Sequence, residues 1–215
     1  MITKKCISKG WYIMRVITKD EFMIEANKLL TDIKDKAVFI YPTDTIYGIG
    51  CNALNSKSVE RIREAKKRPK APFSIIAPSK EWIIRNCEVS SEAEEWLEKL
   101  PGPYTLILKL KNKNCVAPEV VSGADSMGIR IPKHWVSRIA AELEAPIVTT
   151  SVNEAGKVFM TSLENLDPQI RSKVDFIIDE GEKKGRPSNV VFLDDKEVTI
   201  RDRQKGEHYP ESKKI

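Results

Sequence analysis

Four cations in five positions, Lys66, Lys67, Arg68 and Lys70, flank Pro69 and form the densest run of one charge in the chain. At a helix C-terminus such cations complement the helix dipole and face water. The alternative is a phosphate cradle, because Pro69 fixes the exit of the chain and would turn Lys66 and Arg68 toward a shared cleft. A second candidate is Thr150-Ser151-Val152-Asn153-Glu154-Ala155-Gly156, directly after an apolar segment. If that segment is a strand, the loop lies where α/β folds place ligands. Ser151 and Asn153 offer a hydroxyl and an amide for phosphate oxygens or metal-bound water, or else they close a turn on their own backbone. Arg130 is the third, inside Gly128-Ile129-Arg130-Ile131-Pro132. A half-buried guanidinium needs a partner, either a carboxylate such as Asp44 or the carboxylate or phosphate of a ligand.

The elements that must position these groups are legible from period and punctuation. Thr18 three residues before Glu21 is a capping-box spacing, and Phe22, Ile24, Ala26, Leu29, Leu30 and Ile33 then recur at helical period. Ala37–Tyr41 is a compact β-forming run that meets Pro42, so it reads as a buried strand ending in the turn Pro42-Thr43-Asp44-Thr45. Asn55 and Ser56 are caps for a helix whose last turn is Lys66-Lys67-Arg68. Further helices are predicted over 79–87, from Ser91 with Glu94 as its capping box to about Leu100, over 135–143 and from Asp167-Pro168; further strands are predicted over 73–77, 104–110, 127–131, 146–149, 175–178, 189–193 and 198–201. Interleaved strands and helices define an α/β class with a mixed, twisted sheet.

The chain has 215 residues, 41% of them apolar, which rules out whole-chain disorder. Basic residues number 36 and acidic residues 31, for a net charge of +5, so anionic partners are favoured only mildly. Cys6, Cys51, Cys87 and Cys115 form no C-x-x-C pair, which disfavours a zinc ribbon or a disulfide scaffold and makes reduced thiols in the cytoplasm the expectation. With only His134 and His208, both read as surface or capping residues, imidazole metal sites and histidine triads lack material. Asp44 and Asp125 are too isolated to form a carboxylate pair. No G-x-G-x-x-G or Walker loop occurs, so any phosphate site must use side chains. No membrane span is predicted. Residues 1–13 read as an N-terminal extension with Met14 as an alternative start, and 14–215 as one domain.

In order, Tyr41-Pro-Thr-Asp-Thr-Ile-Tyr-Gly-Ile-Gly50, Lys66-Lys-Arg-Pro69, Pro101-Gly-Pro-Tyr-Thr-Leu-Ile-Leu108, Gly128-Ile-Arg-Ile-Pro132, Thr150-Ser-Val-Asn153 and Pro187-Ser188 resemble the YrdC-like domain family of threonylcarbamoyl-AMP synthases, in its single-domain form. The resemblance implies an open, twisted α/β sheet with flanking helices and a large basic cleft. It also implies a nucleotidyl transfer in which L-threonine, bicarbonate or CO2, and ATP with Mg²⁺ give threonylcarbamoyl-adenylate and pyrophosphate. The adenylate feeds the machinery that modifies adenosine 37 of tRNA. By the same resemblance Lys66, Arg68, Ser126, Ser151, Asn153 and a late arginine, Arg201 or Arg203, contact ATP, whereas Thr45, Arg130, Thr149 and Ser188 contact threonine. No catalytic nucleophile and no direct side-chain metal ligand is implied. The chain departs from the family at Ala71-Pro72-Phe73-Ser74-Ile75-Ile76, where a histidine that contacts threonine is absent, and at Pro187-Ser188-Asn189 in place of Pro-Ser-Thr. The alternative from another class is a non-catalytic module whose basic cleft binds RNA, against which the mild net charge argues.

Overall fold

Capping residues decide where the helices begin in the computed structural model, which describes residues 14–183, 185–195 and 198–201. Glu21 N donates to Thr18 Oγ1 at 3.2 Å and Thr18 N to the Glu21 carboxylate at 2.7 Å, starting α1 (Lys19–Ile24) with the expected reciprocal pair. The single helix expected through Ile33 is broken at Glu25, and α2 (Ala26–Asp35) continues from it. Asn55 caps α3 (Ser56–Lys66), which closes at Lys67 in the left-handed region, φ 50°. Ser79 caps α4 (Lys80–Asn86). Ser90, rather than Ser91, caps α5 (Ser91–Glu98) by accepting from Ala93 N. Three further helices follow, α6 (Pro118–Val121), α7 (Ser137–Leu143) and α8 (Pro168–Arg171).

The strands are β1 (Arg15–Ile17), β2 (Phe39–Tyr41), β3 (Gly48–Gly50), β4 (Ser74–Ile76), β5 (Tyr104–Lys109), β6 (Ser126–Arg130), β7 (Ile147–Ser151), β8 (Phe176–Ile178), β9 (Asn189–Phe192) and β10 (Thr199–Arg201). They form one mixed sheet in the order β1-β8-β2-β3-β7-β4-β6-β5-β9-β10. The pairs β4/β6 and β5/β9 are parallel, and β7 runs antiparallel to both β3 and β4. Strand β3 is unforeseen because two of its three residues are glycine, a poor strand former. Its reason is contact: a Cβ on Gly50 would fall 2.1 Å from the Val148 carbonyl oxygen, and one on Gly48 would fall 3.0 Å from the Tyr41 ring.

Residues paired across a ladder share a face of the sheet. On one face Ile40, Ile49, Val148, Ile75, Ile129, Leu106 and Val191 belong to a core packed under helices that include α3, α4, α5, α6 and α8. On the other face Phe39, Tyr41, Phe176, Ile178, Ile76 and Ile147 pack beneath α1, α2 and α7. That second cover stops partway across. Farther along the same face the register lines up Ser151, Thr149, Ser74, Gly128, Ser126, Thr105, Phe192 and Arg201. Each fully buried Ile or Phe contributes roughly 1.5–3 kcal/mol. The helix-covered areas therefore carry the stability, and the hydroxyl-rich remainder lies outside that cover. Among the described residues no helix is long and apolar enough to cross a membrane.

Candidate active site

The C-terminal end of α3 reaches the far end of β7. Lys66 is only 2% exposed. Its Nζ donates to the Ser151 carbonyl at 2.5 Å, the Asn153 carbonyl at 2.7 Å and Asn153 Oδ1 at 3.2 Å. An ammonium has three N–H donors, so these contacts knit the K-x-R and S-x-N segments into one structure. Ala155 N adds a bond to the Lys66 carbonyl at 3.0 Å. The Glu154 carboxylate, buried at 5% exposure, meets Lys67 Nζ and Lys157 Nζ, each at 2.9 Å. The Ser151 hydroxyl donates to Asn153 Oδ1 at 2.5 Å and Asn153 Nδ2 to the Lys157 carbonyl at 2.6 Å. The Ser151–Asn153 turn is thus closed on itself, and Lys66 turns inward to it.

Arg68 follows the left-handed Lys67. It donates to the Pro72 carbonyl at 2.9 Å, and its guanidinium lies 5.5 Å from the centre of the Phe73 ring. Its backbone is held by Arg63, a residue that sequence reasoning did not single out, whose Nη1 donates to the Arg68 and Ala71 carbonyls at 2.8 and 3.1 Å. The signal was available in principle, since an Arg within the apolar stripe of a helix must find acceptors.

Arg130, at 6% exposure, binds Asp44 Oδ1 through Nη2 at 2.6 Å, and its Nη1 lies 3.4 Å from Thr45 Oγ1. The carboxylate foreseen as one option is therefore present, and its second oxygen accepts from Lys133 N at 2.9 Å. Thr45 is fixed in turn by Thr43, whose Oγ1 accepts from Thr45 N at 3.1 Å. Gly185 lies against Thr45 so closely that a Cβ there would fall 1.7 Å from the Thr45 carbonyl oxygen. The Ser188 and Thr105 hydroxyls share a buried bond of 2.8 Å, and beside Thr149 the Tyr41 phenol donates to the Val148 carbonyl at 3.1 Å. Register brings Ser126, Thr149, Ser151 and Arg201 to the face that carries Arg130, with the Arg201 guanidinium 5.3 Å from the Phe192 ring centre. Arg203 and His208 lie outside the described residues. Sequence reasoning passed over Ser74, which register places between Thr149 and Gly128 on that face.

His134 is a linker in the fold: its Nε2 is 3.1 Å from Glu180 Oε2, and burial pushes its pKa down against the pull of that carboxylate. Burial likewise pushes up the Cys51 and Cys115 thiols, and that of Cys87 to about 12, so these cysteines are packing groups. Among the described residues no group of three or more His, Cys, Asp or Glu is placed to hold a metal ion. The described residues of the arrangement are cations, hydroxyls and amides, groups whose chemistry suits the binding of anions.

The family described as "Telomere recombination" (Sua5, YciO, YrdC) matches residues 31–203. The chain is 38% identical over 179 residues to a Methanocaldococcus jannaschii protein described as a candidate threonylcarbamoyl-AMP synthase, covering 81% of this chain and 83% of that protein. It is 37% identical over 167 residues to the threonylcarbamoyl-AMP synthase of Pyrococcus abyssi, covering 75% of this chain but 48% of that one. The fold is similar to the crystal structure of P. abyssi Sua5 complexed with L-threonine, with a TM-score of 0.76 and 32% identity over 87% of this chain and 56% of that chain. The chain thus spans about half the length of the P. abyssi protein.

Proposed function

The chain belongs to the Sua5/YciO/YrdC family, and on that premise we propose that it makes threonylcarbamoyl-adenylate and pyrophosphate from L-threonine, bicarbonate or CO2, and ATP. One observation carries the reading: Lys66 joins the K-x-R and S-x-N segments, and their strand β7 shares a sheet face with the buried guanidinium of Arg130. Two cationic centres on one surface support a reading in which a triphosphate and an amino-acid carboxylate bind side by side.

In this reading Arg68, Ser151, Asn153, Ser126 and Arg201 take the nucleotide, with Lys66 beneath the phosphates; Arg203 would extend the set. Arg130 takes the threonine carboxylate beside Asp44, while Thr45, Thr149 and Ser188 surround the amino acid. The threonine amine, having lost its ammonium proton, forms a carbamate by adding to CO2 with release of a further proton to solvent, or by adding to bicarbonate with loss of water. A carbamate oxygen then attacks the α-phosphorus and the bond to the β-phosphate oxygen breaks, its electron pair leaving on pyrophosphate. Alignment and stabilisation of developing charge supply the rate, so no protein nucleophile is needed. The nearby carboxylates fit an ion borne by the phosphates: Asp44 is committed to Arg130 and Lys133 N, and Glu154 to Lys67 and Lys157. Mg²⁺ bound with ATP would neutralise phosphate charge. The adenylate would then pass to tRNA-modifying machinery that moves its threonylcarbamoyl group to adenosine.

Hydroxyls outnumber cations on the uncovered face, which favours this compact set of anions over an RNA backbone. The test is pyrophosphate release from ATP. Release is expected only when L-threonine and bicarbonate are both present, and release that proceeds with either omitted would overturn the reaction.

A further inference from the structure

The groups proposed for ATP and threonine leave the smallest substrate, bicarbonate, without a partner. On β6, Arg130 stands at one end and Ser126 at the other, with Gly128 midway. At the ~3.3 Å rise of a strand, Gly128 is about 7 Å from each. With ATP meeting Ser126 and threonine meeting Arg130, as proposed above, a carbamate that links the two lies over this midpoint. Strand β4 delivers one side chain there. Ile76 pairs with Arg130 in a parallel ladder, which sets Ser74 beside Gly128, and the antiparallel ladder on its other side pairs Ser74 with Thr149. A Cβ at Gly128 would fall 2.3 Å from Ser74 Oγ, so the absence of a side chain at 128 is what lets the Ser74 hydroxyl lie across onto β6. The Ser188 hydroxyl shares a bond with Thr105, and the Ser151 hydroxyl donates to Asn153. Ser74 is half-buried and makes no hydrogen bond of its hydroxyl to any described residue.

We infer that Ser74 Oγ, seated over Gly128, is the binding group for bicarbonate and for the carbamate formed from it; this rests on the proposed reaction. Chemically a neutral hydroxyl suits the task. It donates to an oxygen of a small anion and orients that oxygen toward phosphorus, whereas a fixed cation at this point would hold the carbamate against transfer. Placement explains why composition and motif reading overlooked it, because Ser74 lies in an apolar run and only register turns it toward the other two sites.

Steady-state pyrophosphate release would be measured with wild-type protein and Ser74→Ala in CO2-depleted buffer with bicarbonate added back, alongside calorimetric binding of L-threonine and of ATP. A hydrogen bond to a charged ligand predicts that the KM for bicarbonate rises roughly tenfold or more, with threonine and ATP affinities changed much less because other side chains hold those ligands. Gly128→Ala, which displaces the hydroxyl without removing it, should raise the same KM, with its melting temperature recorded so that misfolding is recognised. An unchanged bicarbonate KM in Ser74→Ala would overturn the inference, as would a loss confined to threonine affinity, which would place Ser74 in the amino-acid subsite. Wild-type release that ignores bicarbonate would instead sink the reaction itself, and the two failures are told apart by the wild-type titration alone.

Discussion

Lys66→Met separates two uses of one charge. The methionine keeps an unbranched apolar stem in a site that leaves Lys66 2% exposed, but it removes the donors that reach the Ser151 carbonyl, the Asn153 carbonyl and Asn153 Oδ1 at 2.5, 2.7 and 3.2 Å. Hydrogen bonds to a charged group contribute roughly 1.5–3 kcal/mol each. Ser151 and Asn153 are themselves half exposed, so water can satisfy part of what is lost, and a net destabilisation of about 3 kcal/mol follows. For a chain of this size that corresponds to a fall in melting temperature of roughly 6–12 °C. Turnover should fall by ~10² or more, because the loop that carries Ser151 and Asn153 loses its tether and the phosphates lose a nearby charge. Differential scanning calorimetry and pyrophosphate release on the same preparation read both effects. A variant that melts within a degree of wild type while losing all turnover would refute the tethering role and leave Lys66 as a simple phosphate ligand.

Arg68→Ala should show the opposite balance, a ~10²-fold loss of turnover with a melting temperature within about 2 °C of wild type, measured by the same pair of assays; a large drop in stability would show that its bond to Pro72 holds the fold. Asp44→Ala leaves the buried Arg130 guanidinium without its carboxylate and should destabilise by about 3–5 kcal/mol in urea titration; a loss below about 1 kcal/mol would mean that Arg130 draws its compensation elsewhere. For His134 the folded pKa lies below the ordinary value near 6.5, with burial the leading cause and Glu180 opposing it. The unfolded chain therefore binds more protons there, and stability should decline as pH falls from about 7 through the folded pKa. Melting curves against pH should lose part of that decline in His134→Gln, and identical curves would rule the imidazole out.

Helix limits were legible where a side chain closes the backbone. Thr18 with Glu21, Asn55 and Ser79 all mark starts that local spacing announces. Ser90 and Ser91 are adjacent and either could serve, so choosing between them needs the three-dimensional exit of the preceding loop. Strand β3 was illegible because Gly48 and Gly50 carry no strand preference; they are required by the Tyr41 ring and the Val148 carbonyl, which lie far away in sequence or on another strand. The cation cluster and the Ser151–Asn153 loop could be proposed as sites from residue type alone, yet nothing in their spacing showed that the Lys66 ammonium would be buried in that loop. Arg130 and Asp44 were predictable as an option because a charge inside an apolar strand must be compensated. Ser74 was invisible for the converse reason: its neighbours are apolar, and its importance comes wholly from pairing with Gly128 and Thr149.

The edge of the α1/α2/α7 cover falls between residues two apart on the same strand: Ile76 and Ile147 are beneath it, Ser74 and Thr149 beyond it. Over roughly 7 Å of chain the strands pass from apolar side chains to hydroxyls. Ser74 and Ser126, the less buried hydroxyls of that stretch, can therefore be exchanged with less disturbance of the packed side than Thr105 and Thr149, which are 5% and 6% exposed.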